Sequence, residues 1–386
     1  EVVVAVIDTG VSWAHPDLKD NIYVNKGEIP NNNVDDDKNG FVDDVHGWNF
    51  AGDNKNSSDD HDHGTHCAGT IGAMGNNGVG VVGVNWNVSI MPIKFLTASG
   101  SGTTADAIES INYATKMKVH VMSNSWGGGG ESQAMKQSIQ AARDAGILFV
   151  AAAGNDSSNN DRTPTYPANY DVENVVSVAA MDNQGVLASF SNYGVTKVHV
   201  AAPGVRVLST VKSGGYDTFS GTSMATPHVA GVAALMWAAK GDITFTEVKN
   251  RLITTSEPVR SLRKKVLSKG RVSAYNVVNN IIPPNAEPDE KLWKDVAHTV
   301  ESTHPYKDNA EEVFTITHPG AKFIRVFLDR VDLEDKYDLL YVQNGSGVRM
   351  DELTGTQASV FSDYVEGDTL VLKLKSDSSV NTVSYT

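Results

Sequence analysis

Val2–Ile7 is an almost pure run of β-branched residues, and Asp8-Thr9-Gly10 ends it abruptly. A strand without polar alternation has to be covered on both faces, which is the situation inside a parallel sheet. Similar runs recur at Val119–Met122, Ile147–Ala153, Val175–Ala180 and Val198–Ala202. Helical patterns lie between them. Ala105–Lys118 places Ala107, Ile108, Ile111 and Ala114 on one face, and Ser132–Ala145 does the same with Met135, Ile139 and Ala142. Strands alternating with helices predict an α/β domain with right-handed crossovers. Function in such sheets gathers at the carboxyl ends of the strands, where Asp8 and Asn155 both stand.

The pattern changes after Asn280. Pro283-Pro284-Asn285-Ala286-Glu287-Pro288 reads as a linker. From about Trp293 the helical period disappears, and short β segments follow at Glu312–Thr317, Phe323–Leu328, Leu339–Val342 and Leu370–Leu374. Gly, Asp and Ser turns separate them, the signature of an all-β sandwich. The expected division is therefore 1–282, a linker over 283–292, and 293–386. A net charge of −14 argues against nucleic acid as a partner, because phosphate binding needs a basic face. No stretch approaches the roughly 18 consecutive apolar residues that span a bilayer. The single cysteine, Cys67, excludes an intrachain disulfide, and a large core with bound metal can take its place.

Gly221-Thr222-Ser223-Met224-Ala225-Thr226-Pro227-His228 leads into the apolar helical run Val229–Lys240. Ser223 is thus expected at or near a helix N-terminus, where unpaired N–H groups favour negative charge. A lone serine there is ordinarily a cap. Ser223 has company, since His63-Gly64-Thr65-His66 opens another helical segment and Asp8 closes the first strand. A serine nucleophile needs a base, and the base needs a carboxylate to fix its tautomer. A zinc site made of His61, His63 and His66 would leave Asp8 and Ser223 without roles.

Val6-Ile7-Asp8-Thr9-Gly10, His63-Gly64-Thr65-His66-Cys67-Ala68-Gly69-Thr70 and Gly221–Gly231 resemble, in order and spacing, the signature segments of the subtilisin-like serine proteases. The resemblance covers Val2 to about Asn280. It implies a three-layer parallel α/β fold in which Asp8 orients His63, His63 is general base and then acid, and Ser223 attacks the peptide carbonyl. It makes Asn155, in Ala152-Ala153-Gly154-Asn155, an oxyanion donor beside the Ser223 N–H. It places a peptide substrate between Gly100-Ser101-Gly102 and Ser125-Trp126-Gly127, with Gly154 alongside. Thr104 and Ala107 imply a roomy outer pocket, and Trp126 reads either as its wall or as core. His66 and His228 are expected to be structural, and Cys67 a buried small hydrophobe. The resemblance also implies protein and peptide substrates, a secreted location, and a signal and propeptide removed from Glu1.

Asp35-Asp36-Asp37-Lys38-Asn39-Gly40-Phe41-Val42-Asp43-Asp44 carries its own metal signal. Oxygen ligands at Asp35, Asp37 and Asn39, a carbonyl at Phe41 and an acid at Asp44 follow calcium-loop logic. A second calcium site comes from the resemblance, through Gly75, Asn77, Val79 and Val81 with Asp17. The tail resembles a CUB domain on His304-Pro305-Tyr306, Leu333-Glu334, Tyr337-Asp338-Leu339-Leu340 and Ser376-Asp377-Ser378-Ser379, with Asp335 where that family carries a cysteine. That implies a further calcium on Glu334, Asp338 and Asp377 and a protein partner. Another β-sandwich accessory domain and a purely stabilising β cap stay open, as does a chain whose function is dominated by binding through this tail.

Overall fold

The computed structural model describes residues 1–284, 288–303 and 305–378. Linker residues 285–287, and His304, Ser379 and Thr386 of the tail, lie outside the described residues. Two compact units divide the chain, Glu1–Pro284 and Asn285–Thr386.

In the first unit the elements run β1 (Val3–Asp8), β2 (Trp48–Asn49), α1 (His63–Gly72), β3 (Ser89–Lys94), α2 (Thr104–Lys116), β4 (Val121–Asn124), α3 (Gln133–Asp144), β5 (Leu148–Ala152), β6 (Val175–Met181) and β7 (Val200–Pro203). The hairpin β8 (Val207–Val211) and β9 (Gly215–Phe219) precedes α4 (Thr222–Lys240) and α5 (Phe245–Thr254). β10 (Glu257–Pro258), β11 (Gly270–Arg271) and α6 (Ala274–Asn279) close the unit. Among the described residues nine strands form one sheet in the order β10-β11-β7-β6-β5-β4-β1-β3-β2, parallel except between β10 and β11.

Alternation along β1 explains the layers, because successive side chains leave opposite faces of a strand. Val4 and Val6 enter a core shared with Cys67 and Ile71 of α1 and Val229 and Met236 of α4. Ala5 and Ile7 enter another, with Ile111 of α2 and Ile139 of α3. The sheet is therefore sandwiched between two helical layers. β3, unrecognised in the sequence, contains Pro92 in register with Val6 of β1. The Pro92 carbonyl packs so tightly on Gly47 that a Cβ there would lie 1.9 Å from it. α4 begins at Thr222, earlier than the apolar run that announced it.

Among its described residues, the regular elements of the second unit are β strands apart from one short turn of helix. β12 (Glu311–Thr317), β15 (Leu339–Asn344), β16 (Arg349–Leu353) and β19 (Thr369–Lys375) make an antiparallel sheet in the order β12-β19-β15-β16. The single strand expected over Phe323–Leu328 is two. β13 (Phe323–Ile324) pairs with β18 (Val365–Glu366), and β14 (Phe327–Asp332) pairs with β17 (Thr356–Phe361). Leu340, Val342, Leu370, Leu372 and Leu374 fill its core.

Candidate active site

Asp8 is the last residue of β1 and is fully buried. β1 lies between β3 and β4, so the chain leaves it in both directions, the switch point where a crevice opens in a parallel sheet. His63 is the first residue of α1. Glycine lets the two elements touch: a Cβ on Gly64 would sit 2.1 Å from the Gly10 carbonyl oxygen. His63 Nδ1 and Asp8 Oδ1 are 2.8 Å apart, and the Thr9 N–H donates to the same oxygen at 2.7 Å. With Nδ1 so engaged, Nε2 is the ring nitrogen left to take a proton. Burial pushes the His63 pKa down, but the charge and hydrogen bond of Asp8 and the charge of Asp59 together outweigh it, and the net direction is upward from 6.5.

Ser223 is the second residue of α4. Pro227 lacks the N–H that would bond the Ser223 carbonyl four residues earlier. That freed carbonyl accepts from Ser125 Oγ at 2.8 Å and from Cys67 Sγ at 3.5 Å. Cys67 lies one turn beyond His63, with Sγ, a His63 nitrogen and an Asp8 oxygen within 4.8 Å of one another. The proline thus frees a carbonyl that ties the Ser223 backbone to Ser125 and to Cys67, one turn from His63. Ser223 Oγ itself donates to the Ser125 carbonyl at 3.0 Å. Burial pushes the Cys67 thiol pKa well up, so it stays a neutral, inert group.

Asn155 Oδ1 accepts from the Thr222 N–H at 2.9 Å and from Thr222 Oγ1 at 3.0 Å. Its amide nitrogen is left on the side of Gly221, 3.7 Å from where a Cβ would stand. The Ser223 N–H, in the first turn of α4, has no acceptor inside the helix. Both donors therefore stand at the start of α4. Sequence reasoning missed Asn192, which fixes this corner. Its Oδ1 accepts from Asp156 N and Ser158 N at 2.8 and 3.0 Å, and its Nδ2 reaches Ala153 O, Asn160 Oδ1 and Thr165 Oγ1, each at 3.1 Å. Gly154, at φ +113°, would drive a Cβ to 2.4 Å from that nitrogen. A single asparagine far from Asn155 in sequence carries no signal of this.

A cleft of about 660 Å³ runs beside these groups. Gly100, Ser101 and Gly102 line it, as do Ser125, Trp126 and Gly127, together with His61 and His63. Thr104 and Ala107 line it as well. Trp126 lies edge-on to Phe95 at 4.9 Å and packs against the α2–α3 layer while also facing the cleft. His66 hydrogen-bonds the Val207 carbonyl at 2.9 Å and stacks on Phe219 at 4.5 Å. Burial pushes its pKa down to about 4, so it remains neutral. His228 Nδ1 meets the Met224 carbonyl at 2.8 Å.

Among the described residues, two carboxylate groupings could hold a cation, and Asp17 stands apart from both as a single carboxylate. Asp35 and Asp37 come together with Glu28, which sequence reasoning did not include, with an oxygen of each within 4.8 Å of the others. Asn39 bonds both aspartates through its N–H, at 3.0 and 2.9 Å, and Phe41 N–H donates to Asn39 Oδ1 at 2.8 Å. Asp44 turns inward to Asn25, Asn39 and Tyr113, and burial pushes its pKa up. Asp17 and Asn77 meet at 2.6 Å, and the Val81 N–H donates to Asp17 at 2.9 Å. The Val79 N–H binds Asn77 Oδ1 at 3.0 Å, and Gly75 packs under the Trp86 ring. In the second unit Glu334, Asp338 and Asp377 converge, again with oxygens within 4.8 Å. Tyr306 donates to the fully buried Asp338 at 2.5 Å, and Glu334 Oε2 is buried without a partner.

The subtilase family model (Peptidase_S8) matches residues 1–282. Subtilisin DY of Bacillus licheniformis is 40% identical over 256 residues, 66% of this chain and 83% of that protein. Thermitase of Thermoactinomyces vulgaris is 36% identical over 275 residues, 71% of this chain and 88% of that one. Subtilisin-like protease 1 of Plasmodium berghei (strain Anka) is 34% identical over 72% of this chain, which spans 50% of that relative's length. The crystal structure of a cold adapted subtilisin-like serine proteinase matches 69% of this chain and 88% of its own, with a TM-score of 0.56 and 33% identity. No helix among the described residues is long and apolar enough to cross a membrane. A parallel α/β sheet with aspartate, histidine and serine at the switch point, and these relatives over the same span, lead to one conclusion: the chain belongs to the subtilase family of serine proteases.

Proposed function

We propose that the chain is a secreted, calcium-dependent endopeptidase that hydrolyses peptide bonds through an acyl-enzyme on Ser223. The observation that carries this reading is the 2.8 Å Asp8–His63 bond beside a serine docked at a helix N-terminus. Ser223 Oγ attacks the peptide carbonyl carbon while its proton passes to His63 Nε2. The oxyanion is held by the Asn155 amide and the Ser223 N–H. The imidazolium, stabilised by Asp8, returns the proton to the amine as the C–N bond breaks. Water then repeats the sequence to release the acid. Substrate lies as an added strand between Gly100–Gly102 and Ser125–Gly127, with Gly154 beside the scissile residue. Extended segments of proteins are therefore the substrate class.

Calcium fits two places in the first unit. Glu28, Asp35 and Asp37 present converging oxygens, and Asn39 and the Phe41 carbonyl stand on the same loop. Asp17 meets Asn77 at the loop that also carries Gly75, Val79 and Val81. Bound calcium would supply charge compensation and rigidity, not chemistry. In the second unit, the buried orphan oxygen of Glu334 beside Asp338 and Asp377 suits a third cation. We read that unit as a CUB-like β-sandwich that binds a protein partner. Export with removal of a leader and propeptide belongs to the same reading. Ser223→Ala in the full chain should abolish peptide hydrolysis and leave the fold intact. Residual turnover at the wild-type level would refute the reading.

A further inference from the structure

Asp59 is 8% exposed and makes hydrogen bonds to two separate elements. Its Oδ1 accepts from Thr9 Oγ1 at 2.9 Å, His61 N at 2.8 Å and Asp62 N at 3.2 Å. Its Oδ2 accepts from Thr65 N at 3.0 Å and Thr65 Oγ1 at 2.5 Å. Thr9 Oγ1 in turn accepts from the Gly64 N–H at 2.9 Å, and Thr65 Oγ1 accepts from the Ser12 N–H at 3.1 Å. Thr9 follows Asp8, and Gly64 follows His63. Each catalytic side chain is thus neighboured in sequence by a residue tied into one carboxylate.

We infer that Asp59 is a positioning residue for peptide hydrolysis, clamping the end of β1 that carries Asp8 to the first turn of α1 that carries His63. The inference rests on the proposed roles of Asp8, His63 and Ser223. A second observation shows that something must hold this loop. Asp62, immediately before His63, sits at φ 105°, ψ −31°, a conformation strained for any residue but glycine. Its N–H goes to Asp59, and its carboxylate accepts the Lys212 N–H at 3.0 Å. Released strain would move His63 first.

The charge of Asp59 matters as well. Its neighbours are compensated, Asp60 by Lys94 at 2.7 Å and Asp62 by Lys212 at 3.8 Å. Asp59 is held by neutral donors. The groups recorded near His63 are Asp8 from β1, Asp59 and His61 from the loop before α1, and His66 and Cys67 from α1. Of these, Asp8 and Asp59 raise the proton affinity of His63. Asp59 bonds no atom of the imidazole, so it acts on geometry and field only.

The test is kcat and KM on a short soluble peptide, as a function of pH, for the full chain and its Asp59→Asn, Thr9→Val and Ser223→Ala variants. Asp59→Asn should lower kcat about 10- to 100-fold with KM within about twofold, the scale of a small misplacement of reacting groups. It should also move the acid midpoint of kcat/KM downward. Thr9→Val, which removes the bridge but keeps the charge, should lower kcat and leave the midpoint in place. Asp59→Asn with wild-type kcat and midpoint, and only an earlier melt, would overturn the inference. Should Asp59→Asn fail to fold, Thr9→Val decides: reduced kcat at unchanged KM supports it, and unchanged kcat overturns it. Activity in Ser223→Ala would sink the triad reading itself. An inactive Ser223→Ala alongside a wild-type-like Asp59→Asn would sink this inference alone.

Discussion

At the scale of residues, the site is a set of hydrogen bonds that leave specific atoms free. Asn155 spends its oxygen on Thr222, which leaves its amide nitrogen for the oxyanion role proposed here. Asn155→Ala should therefore lower kcat by about 10²–10³ with little change in KM, a magnitude taken from the corresponding donor of subtilisin itself. Steady-state kinetics on one peptide checks it. His63 must be neutral to act as base, and its pKa is displaced upward from 6.5 by Asp8 and Asp59 against burial. The activity missing at low pH should accordingly return with a midpoint above 6.5, not at it, in a kcat/KM–pH profile. Asp8, His63, Asn155 and Ser223 stood out in the sequence because each sits in a motif, and the structure puts Asp8 on His63 and Asn155 on Thr222, next to Ser223. Asp59 and Asn192 did not stand out. One looks like part of a solvated acidic run and the other like an ordinary turn residue, and only the fold shows what they bind.

At the scale of elements, close approach is the organising fact. β1 and α1 meet through Gly10 and Gly64, and α4 offers the Ser223 carbonyl outward because Pro227 cannot bond it. Gly64→Ala puts a Cβ 2.1 Å from the Gly10 carbonyl and 3.2 Å from Asp8 Cβ. Overpacking of this kind costs about 1–3 kcal/mol. The expected outcome is a lower melting temperature together with a drop in kcat larger than the folded fraction explains, measured by thermal melting and active-site titration in parallel. Strands with uninterrupted apolar runs were legible, as were α2 and α3 with their helical spacing. β3 was not, because Pro92 breaks a run that burial and parallel pairing still hold as strand. The start of α4 was legible too, since Ser223 was expected at or near a helix N-terminus and is the second residue of that helix. In the second unit, Phe323–Leu328 looked continuous, but its two halves pair with different strands.

At the scale of the whole molecule, a net charge of −14 makes clustered carboxylates need compensation, and a single cysteine gives the chain no intrachain disulfide to constrain its unfolded state. Glu28, Asp35 and Asp37 repel one another unless a cation joins them, and Glu28, seven residues before Asp35 and outside the acidic run, gave no sign in the sequence that it folds back onto that loop. A cation binding only the native state adds RT ln(1 + [L]/Kd), about 2.7 kcal/mol at a hundredfold excess. Chelation of the Ser223→Ala protein, which lacks the proposed nucleophile, should lower its melting temperature. Asp37→Ala should reproduce part of that loss with calcium present, and an unchanged midpoint on chelation would make the loop a solvated surface.

The most direct test of the account is to map where a serine-directed phosphonate attaches to the full chain, by mass spectrometry of peptides from the inactivated protein. One adduct per chain on Ser223, lost in Ser223→Ala and slowed in His63→Ala, is the predicted result. An adduct on another serine, or labelling and turnover that persist in Ser223→Ala, would contradict it.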